Sequence, residues 1–214
     1  HRIDPRDCTM AEQHFEILIR GGEVIDGSKR PRFKADVGIR AGQIAAIGDL
    51  QAATADQVIN AAGKIVAPGF IDSHTHDDQA LLLQPQMEFK VSQGVTAVVT
   101  GNCGISVAPL LPESPMPAPL NLLSDAKTRF STFKEYLAAL TAAPPAVDVI
   151  PMVGHTNLRV LAMRDLNRAA SQDEIAHMQA LLREALAAGA VGLSTGTYYP
   201  PAAAAATEEV SEVA

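Results

Sequence analysis

Cysteine is scarce in this 214-residue chain, which has only Cys8 and Cys103. Two thiols in unrelated contexts make no disulfide framework. The chain therefore reads as intracellular, with a cytoplasmic location expected, and a thiol there is a metal ligand or a core residue. Basic runs are absent too. With Lys+Arg 17 against Asp+Glu 24 and a formal net charge of −7, no patch exists to neutralise phosphates, which argues against a nucleic-acid or anionic-membrane partner. No apolar run approaches the ~20 residues of a membrane span. The N-terminus also lacks the basic-then-apolar order of a signal peptide. Finally, no Gly-x-Gly-x-x-Gly follows the first strand of the α/β part, so a dinucleotide-binding fold has little support.

What is present is an ordinary globular composition, 47% hydrophobic and 19% charged, enough for a sizeable core in one or two domains. Both ends look arbitrary. A polar stretch from Arg2 to Thr9 precedes an initiator-like Met10, and the chain stops at Ala214 inside a helical pattern. Residues 1–13 are expected to form a disordered leader on what reads as a fragment.

Residues 14–67 alternate with period two between glycine-containing turns, the mark of hairpins. Phe15–Arg20 has strand character, Gly21-Gly22 predicts a turn into Glu23-Val24-Ile25, and Ala41-Gly42 predicts a tight connection into Gln43–Ile47. Gln57–Asn60 and Lys64–Ala67 continue the pattern. The expectation is a small antiparallel sheet that needs partner strands from elsewhere.

The pattern changes at Pro68. Phe70–Ser73 is strand-like, Pro85 offers a helix start, and Met87 with Val91 fits a short helix before Gly94. Val95–Thr100 is β-branched and nearly continuous, as a strand buried on both faces should be. Five prolines between residues 108 and 120 mark an irregular excursion. Ser131 is then a candidate cap for a helix whose Phe133, Tyr136, Leu137 and Leu140 share one face. Val147–Val153 predicts a third strand. Ser171 and Glu174 form a capping-box signature before a helix with Ile175, Met178, Leu182 and Ala185 on one side. Ala190–Ser194 is a fourth strand, and Thr207 begins another helix.

Strand and helix in alternation predict a parallel sheet with right-handed crossovers. Polar residues follow every strand, as expected where many strand ends surround one centre. Residues 68–214 thus read as the first half of a (β/α)8 TIM-like barrel, well short of the ~250 residues of a whole one.

His74 and His76 stand at the first strand end. Side chains at i and i+2 on a strand point the same way, and two converging imidazoles suit a metal ion. Cys103 follows the second strand within Gly101-Asn102-Cys103-Gly104. A free cysteine is often a small buried hydrophobe, but the flanking glycines allow close backbone approach to an ion, and a thiolate beside a dication suits zinc. His155, at the third strand end, reads at least as readily as a backbone-satisfied histidine as it does a metal ligand or substrate contact. His177 lies mid-helix and reads as solvated, and His14 as incidental. Asp72 is a candidate for orienting a ligand histidine, while Asp77 and Asp78 fit a solvated turn as well. Tyr198-Tyr199-Pro200-Pro201 is a rigid loop, either a packing lid or a substrate wall.

With these residues in view, the chain resembles the amidohydrolase superfamily, and within it the N-acyl-D-amino-acid deacylases, or D-aminoacylases. The supporting segments are Gly21–Gly27, Pro68-Gly69-Phe70-Ile71-Asp72-Ser73-His74-Thr75-His76, Thr100-Gly101-Asn102-Cys103-Gly104-Ile105-Ser106, Met152–His155 and Gly192–Gly196 with Tyr199-Pro200-Pro201. The resemblance implies a small β-sandwich domain, to which residues 14–67 contribute the N-terminal part, followed by a metal-dependent barrel. It implies one or two zinc ions (Zn2+), with His74 and His76 at one metal position and Cys103 on the tightly held zinc. Tyr199 and His155 are substrate-side candidates. The implied reaction is hydrolysis of the amide bond of a small-molecule N-acyl-D-amino acid. In such relatives the remaining ligands and the general-base aspartate come from later strands, so the chain by itself is expected to be inactive and aggregation-prone. A hydantoinase- or dihydroorotase-like cyclic-amide hydrolase and a non-catalytic assembly protein are the alternatives. Gly-Asn-Cys-Gly disfavours the first and the intact histidine pair the second.

Overall fold

A long strand, β1 (His14–Val24), carries the N-terminal sheet of the computed structural model, which describes residues 13–111, 116–123 and 128–214. The leader expected over residues 1–13 lies, apart from Gln13, outside them. The chain divides into two compact units, His1–Pro68 and Gly69–Ala214. Among the described residues no helix is long and apolar enough to cross a membrane.

In the first unit β2 (Phe33–Arg40) pairs antiparallel with β1, and β3 (Gln43–Gly48) antiparallel with β2 through the expected Ala41-Gly42 connection. The last two strands, β4 (Thr54–Asn60) and β5 (Ile65–Val66), pair parallel with β1. The sheet is therefore mixed, not purely antiparallel, because the chain crosses to the far side of β1 after β3.

Gly21-Gly22 also does not turn the chain. β1 runs through it with a register shift between Ile19 and Gly22, and Gly21, at φ 72°, bulges. The displaced Gly21 N–H donates to Asp36 Oδ1 at 2.8 Å, so the bulge leaves no orphan donor, and ladders on both sides hold the strand straight. Phe15, Leu18 and Ala53 form a small buried cluster. The same unit has an open apolar groove of about 250 Å³ lined by Ile19, Val37, Ile44 and Ile47 among others, and Ile44 is 64% exposed.

The second unit begins with β6 (Phe70–Asp72), then two single-turn helices, α1 (Ala80–Leu83) and α2 (Glu88–Val91), and β7 (Val95–Thr100). After a 3-10 turn at Leu120–Leu123 comes α3 (Phe133–Ala142). Its cap is Thr132 rather than Ser131. Thr132 accepts from Glu135 N while Glu135 accepts from Thr132 N, a pairing that needs the glutamate three positions on. Phe133, Tyr136 and Leu140 are buried as the spacing predicts.

The expected third strand is present as β8 (Asp148–Pro151) and β9 (Val153–Gly154), interrupted at Met152. α4 (His155–Ala162) follows with no intervening loop, and then α5 (Gln172–Ala188), β10 (Leu193–Ser194), α6 (Pro200–Ala203) and α7 (Thr207–Val213). Ser171 and Glu174 make the predicted capping box of α5. Strands β6, β7 and β8 are parallel neighbours in that order, and β9 is parallel to β10. One core cluster, including Val98, Tyr136, Leu158, Met178 and Leu182, fills the space between strands and helices.

Helix α4 gave no periodic signal because its buried residues are His155, Thr156, Asn157, Leu158 and Arg159. A helix that buries a polar face satisfies its groups by hydrogen bonds and shows no apolar stripe.

Candidate metal centre

Three strand-end residues converge in the second unit. The donor atoms of His74, His76 and Cys103 all lie within 4.8 Å of one another, the one such group of three found among the described residues. His74 Nε2 is 3.2 Å from Cys103 Sγ. Two donors on one tetrahedral zinc, with Zn–N about 2.0 Å and Zn–S about 2.3 Å, sit roughly 3.5 Å apart, so the pair is near ligation distance. The two imidazoles meet edge to face with centroids 5.8 Å apart. Burial, and then the neighbouring His74, hold the His76 pKa below the ordinary histidine range, favouring the neutral ring that ligates metals. The donor set therefore fits zinc.

The histidines are placed by charges behind them. Asp72 Oδ1 accepts from the His74 backbone N–H at 3.2 Å, so Asp72 touches His74 through the main chain. Lys90 Nζ donates to Asp72 Oδ2 at 2.6 Å, to Asp77 Oδ2 at 2.9 Å and to Thr75 Oγ1 at 3.3 Å. The hydrogen bond from Lys90, and then that from His74 N–H, hold the Asp72 carboxyl below its usual range. Lys90 thus occupies both carboxylates flanking the histidine pair.

Asp77 and Asp78 do not form a solvated turn. Asp78 is 1% exposed, its Oδ1 accepts from Gly101 N at 3.0 Å, and burial pushes its pKa up to about 7. It ties the first strand end to the cysteine turn. That turn is unusual in its backbone. Cys103 lies at φ 55° between Gly101 at 74° and Gly104 at 76°, and a non-glycine residue in the left-handed region costs roughly 1–2 kcal/mol. Glycine is required on both sides by space as well. A Cβ on Gly101 would run into the Met152 carbonyl, and one on Gly104 would come within 2.8 Å of Gly196 N. Asn102 Nδ2 donates to Val99 O at 2.7 Å and Thr75 O at 3.1 Å, fixing the middle of the turn.

His155 is not part of the three-donor group. It is fully buried, with Nδ1 3.1 Å from Thr195 Oγ1 and Nε2 3.1 Å from Glu209 Oε1. Burial lowers its pKa despite Glu209. A neutral ring with Nε2–H donating to the carboxylate and Nδ1 accepting from the hydroxyl satisfies both contacts. Glu209 Oε1 also accepts from Arg159 Nη1, and Oε2 accepts from Ala170 N at 2.9 Å. Arg159 is fully buried and donates further to the carbonyls of Pro201, Leu166 and Arg168. Burial would raise the Glu209 carboxyl, but the Arg159 and Ala170 donors outweigh it and hold it low. Neither Arg159 nor Glu209 was signalled by the sequence, since each is an ordinary surface residue type.

Tyr199 caps α6 and is half-buried. Its ring is 3.3 Å from where a Cβ on Gly196 would lie, and that same Cβ would collide with the Cys103 carbonyl. Tyr199 therefore stands one glycine away from the cysteine turn. Its neighbour Tyr198 is 91% exposed. His177 is exposed on α5, as expected.

The model of the amidohydrolase family matches residues 57–214. The chain belongs to the amidohydrolase family. It is 56% identical over 202 residues to a D-aminoacylase of Alcaligenes xylosoxydans xylosoxydans, covering 94% of this chain and 42% of that protein. A solved D-aminoacylase with a binuclear metal centre superposes with a TM-score of 0.89 at 57% identity, covering 93% of this chain and 42% of that one. An N-acyl-D-glutamate deacylase from Bordetella bronchiseptica, solved with zinc and a phosphonate mimic of the tetrahedral intermediate, gives a TM-score of 0.89 at 47% identity, over 94% and 42% of the two chains. The chain thus spans about two fifths of the length of the relatives that it matches.

Proposed function

We propose that the protein hydrolyses the amide bond of N-acyl-D-amino acids in a zinc-dependent reaction, releasing a carboxylate and a D-amino acid. The carrying observation is the group formed by His74, His76 and Cys103, whose donor atoms lie within 4.8 Å of one another. The likeness to relatives named as D-aminoacylase and N-acyl-D-glutamate deacylase supports the substrate class.

On this reading His74, His76 and Cys103 are the chain's metal ligands, for one or two zinc ions. Zinc bound there would acidify a water and polarise the amide carbonyl. The chain's own residues hold the donors ready: Asp72 and Lys90 fix the histidine strand end, and Asp78 fixes the cysteine turn. Tyr199 and His155, the latter hydrogen-bonded to Thr195 and Glu209, are the residues on the substrate side. Residues 14–67 belong to the small β-sandwich domain, and residues 68–214 to the first half of a (β/α)8 barrel. The sequential parallel order of β6, β7 and β8, continued by β9 and β10, supports the barrel reading.

The test is hydrolysis of N-acetyl-D-methionine, N-acetyl-D-glutamate and N-acetyl-D-aspartate, with hydantoin as the cyclic competitor, by a zinc-loaded protein that carries this chain at the full length of its relatives, the 214-residue chain alone being expected to be inactive. Release of a D-amino acid from at least one linear substrate, with hydantoin untouched, is expected. Turnover of hydantoin alone would move the protein to the cyclic-amide class.

A further inference from the structure

The cysteine turn is held shut from a distance. Ser194, the last residue of β10, accepts from Gly104 N at 3.0 Å and donates to Gly101 O through the same Oγ. The two contacts lie 90 and 93 positions away in sequence. One hydroxyl therefore bridges both ends of the turn that has Cys103 inside it. The two bonds run in opposite senses, so the bridging group must donate and accept at once, which a hydroxyl does and a methyl cannot. Pairing of Ser194 with Gly154 in the β9–β10 ladder fixes where that hydroxyl sits. Gly196, two residues further on, lies against the Cys103 carbonyl with no room for a Cβ. The turn needs such a fastening, because Cys103 occupies a left-handed conformation that a non-glycine residue keeps only when its surroundings impose it.

We infer that Ser194 is a positioning residue for Cys103: its hydroxyl clips the Gly101–Gly104 turn and sets the direction in which Sγ faces His74. The inference rests on the metal reading of the preceding subsection. A ligand set binds tightly only when its donors are held near their final geometry before the metal arrives. Loosening the clip therefore lowers affinity without touching a ligand atom.

Cobalt(II), added alone to the metal-free protein, reports thiolate ligation by a sulfur-to-cobalt charge-transfer absorption in the near ultraviolet. The wild type is expected to show the band and Cys103→Ala to lose it. Failure of either overturns the metal reading, independently of the clip. With both in place, Ser194→Ala is expected to weaken the band and cobalt affinity by about tenfold or more. Ser194→Thr, which keeps the hydroxyl, is expected to restore both. An unchanged band and affinity in Ser194→Ala overturns the inference. Equal impairment of the alanine and threonine variants overturns it too, since side-chain size and not the hydroxyl would then matter. Amide hydrogen exchange of the metal-free wild type needs neither variant nor metal. The Gly104 N–H is expected to exchange at least about a hundredfold more slowly than an unprotected amide, and exchange at the unprotected rate overturns the clip.

Discussion

His74 Nε2 and Cys103 Sγ lie 3.2 Å apart although 29 positions separate them in the chain. Adjacent parallel strands bring them together: β6 pairs with β7 from Phe70 opposite Val95 to Asp72 opposite Val98. The residues just beyond the two strand ends therefore emerge side by side. If they share a metal, then in a protein carrying this chain at the full length of its relatives Cys103→Ala removes bound zinc and the proposed deacylase activity together, while His177→Ala, on the exposed face of α5, changes neither. Zinc content by atomic absorption, measured alongside turnover, checks this. Full zinc occupancy in the cysteine variant would remove Cys103 from the ligand set.

Gly101→Ala should be as damaging to metal binding as loss of a ligand. The added Cβ meets the Met152 carbonyl at a backbone φ of 74°, so the turn must shift. The expected cost is at least about 1–2 kcal/mol from the left-handed conformation alone, with a matching fall in zinc affinity. Gly27→Ala, also at positive φ but with nothing within 4 Å of its Cβ, carries the conformational cost without the collision. Denaturation midpoints and zinc titrations of the two variants separate strain from obstruction.

The Arg159–Glu209 pair is a buried ion pair with every partner accounted for on the arginine side. Glu209→Ala leaves a buried guanidinium uncompensated, which typically costs about 3–5 kcal/mol. Joint replacement by apolar residues of similar size, Arg159→Met with Glu209→Leu, is expected to recover much of that loss. Urea unfolding of the single and double variants measures it, and additive losses would show that the two groups are not coupled.

Acid should weaken the start of α5 in a defined window. The Arg168 hydrogen bond, then that from Ser171 N–H, lower the Glu174 pKa from 4.5 to about 2. A depressed carboxyl contributes stability that is fully present above its unfolded value and is lost as pH falls through the folded one. The contribution therefore declines between pH 4.5 and about 2, and Glu174→Gln should flatten that limb of the stability profile. An identical acid limb in the variant would assign the loss to other carboxyls.

The histidine pair, the cysteine turn and the alternation of strands with helices were all legible in the sequence, because each is a local pattern. His-x-His on a strand fixes a shared direction by period two, the Gly-Asn-Cys-Gly turn announces its backbone through its glycines, and Ser171 with Glu174 marks a helix start. The burial of Asp78 was not legible, because a pair of aspartates gives no local sign of which one is buried. Gly21-Gly22 was misread because a glycine pair serves a bulge as well as a reversal, and only Asp36, arriving from β2, decides between them.

What the sequence determined alone is therefore the set of donors and the elements that carry them. The tertiary structure decided how those donors are held. Lys90 against Asp72 and Asp77, Glu209 against His155 and Arg159, and the Ser194 hydroxyl across the cysteine turn are all contacts between distant segments. Their strength comes from burial and from the partner across the gap, and neither is written in the residues on one side of it.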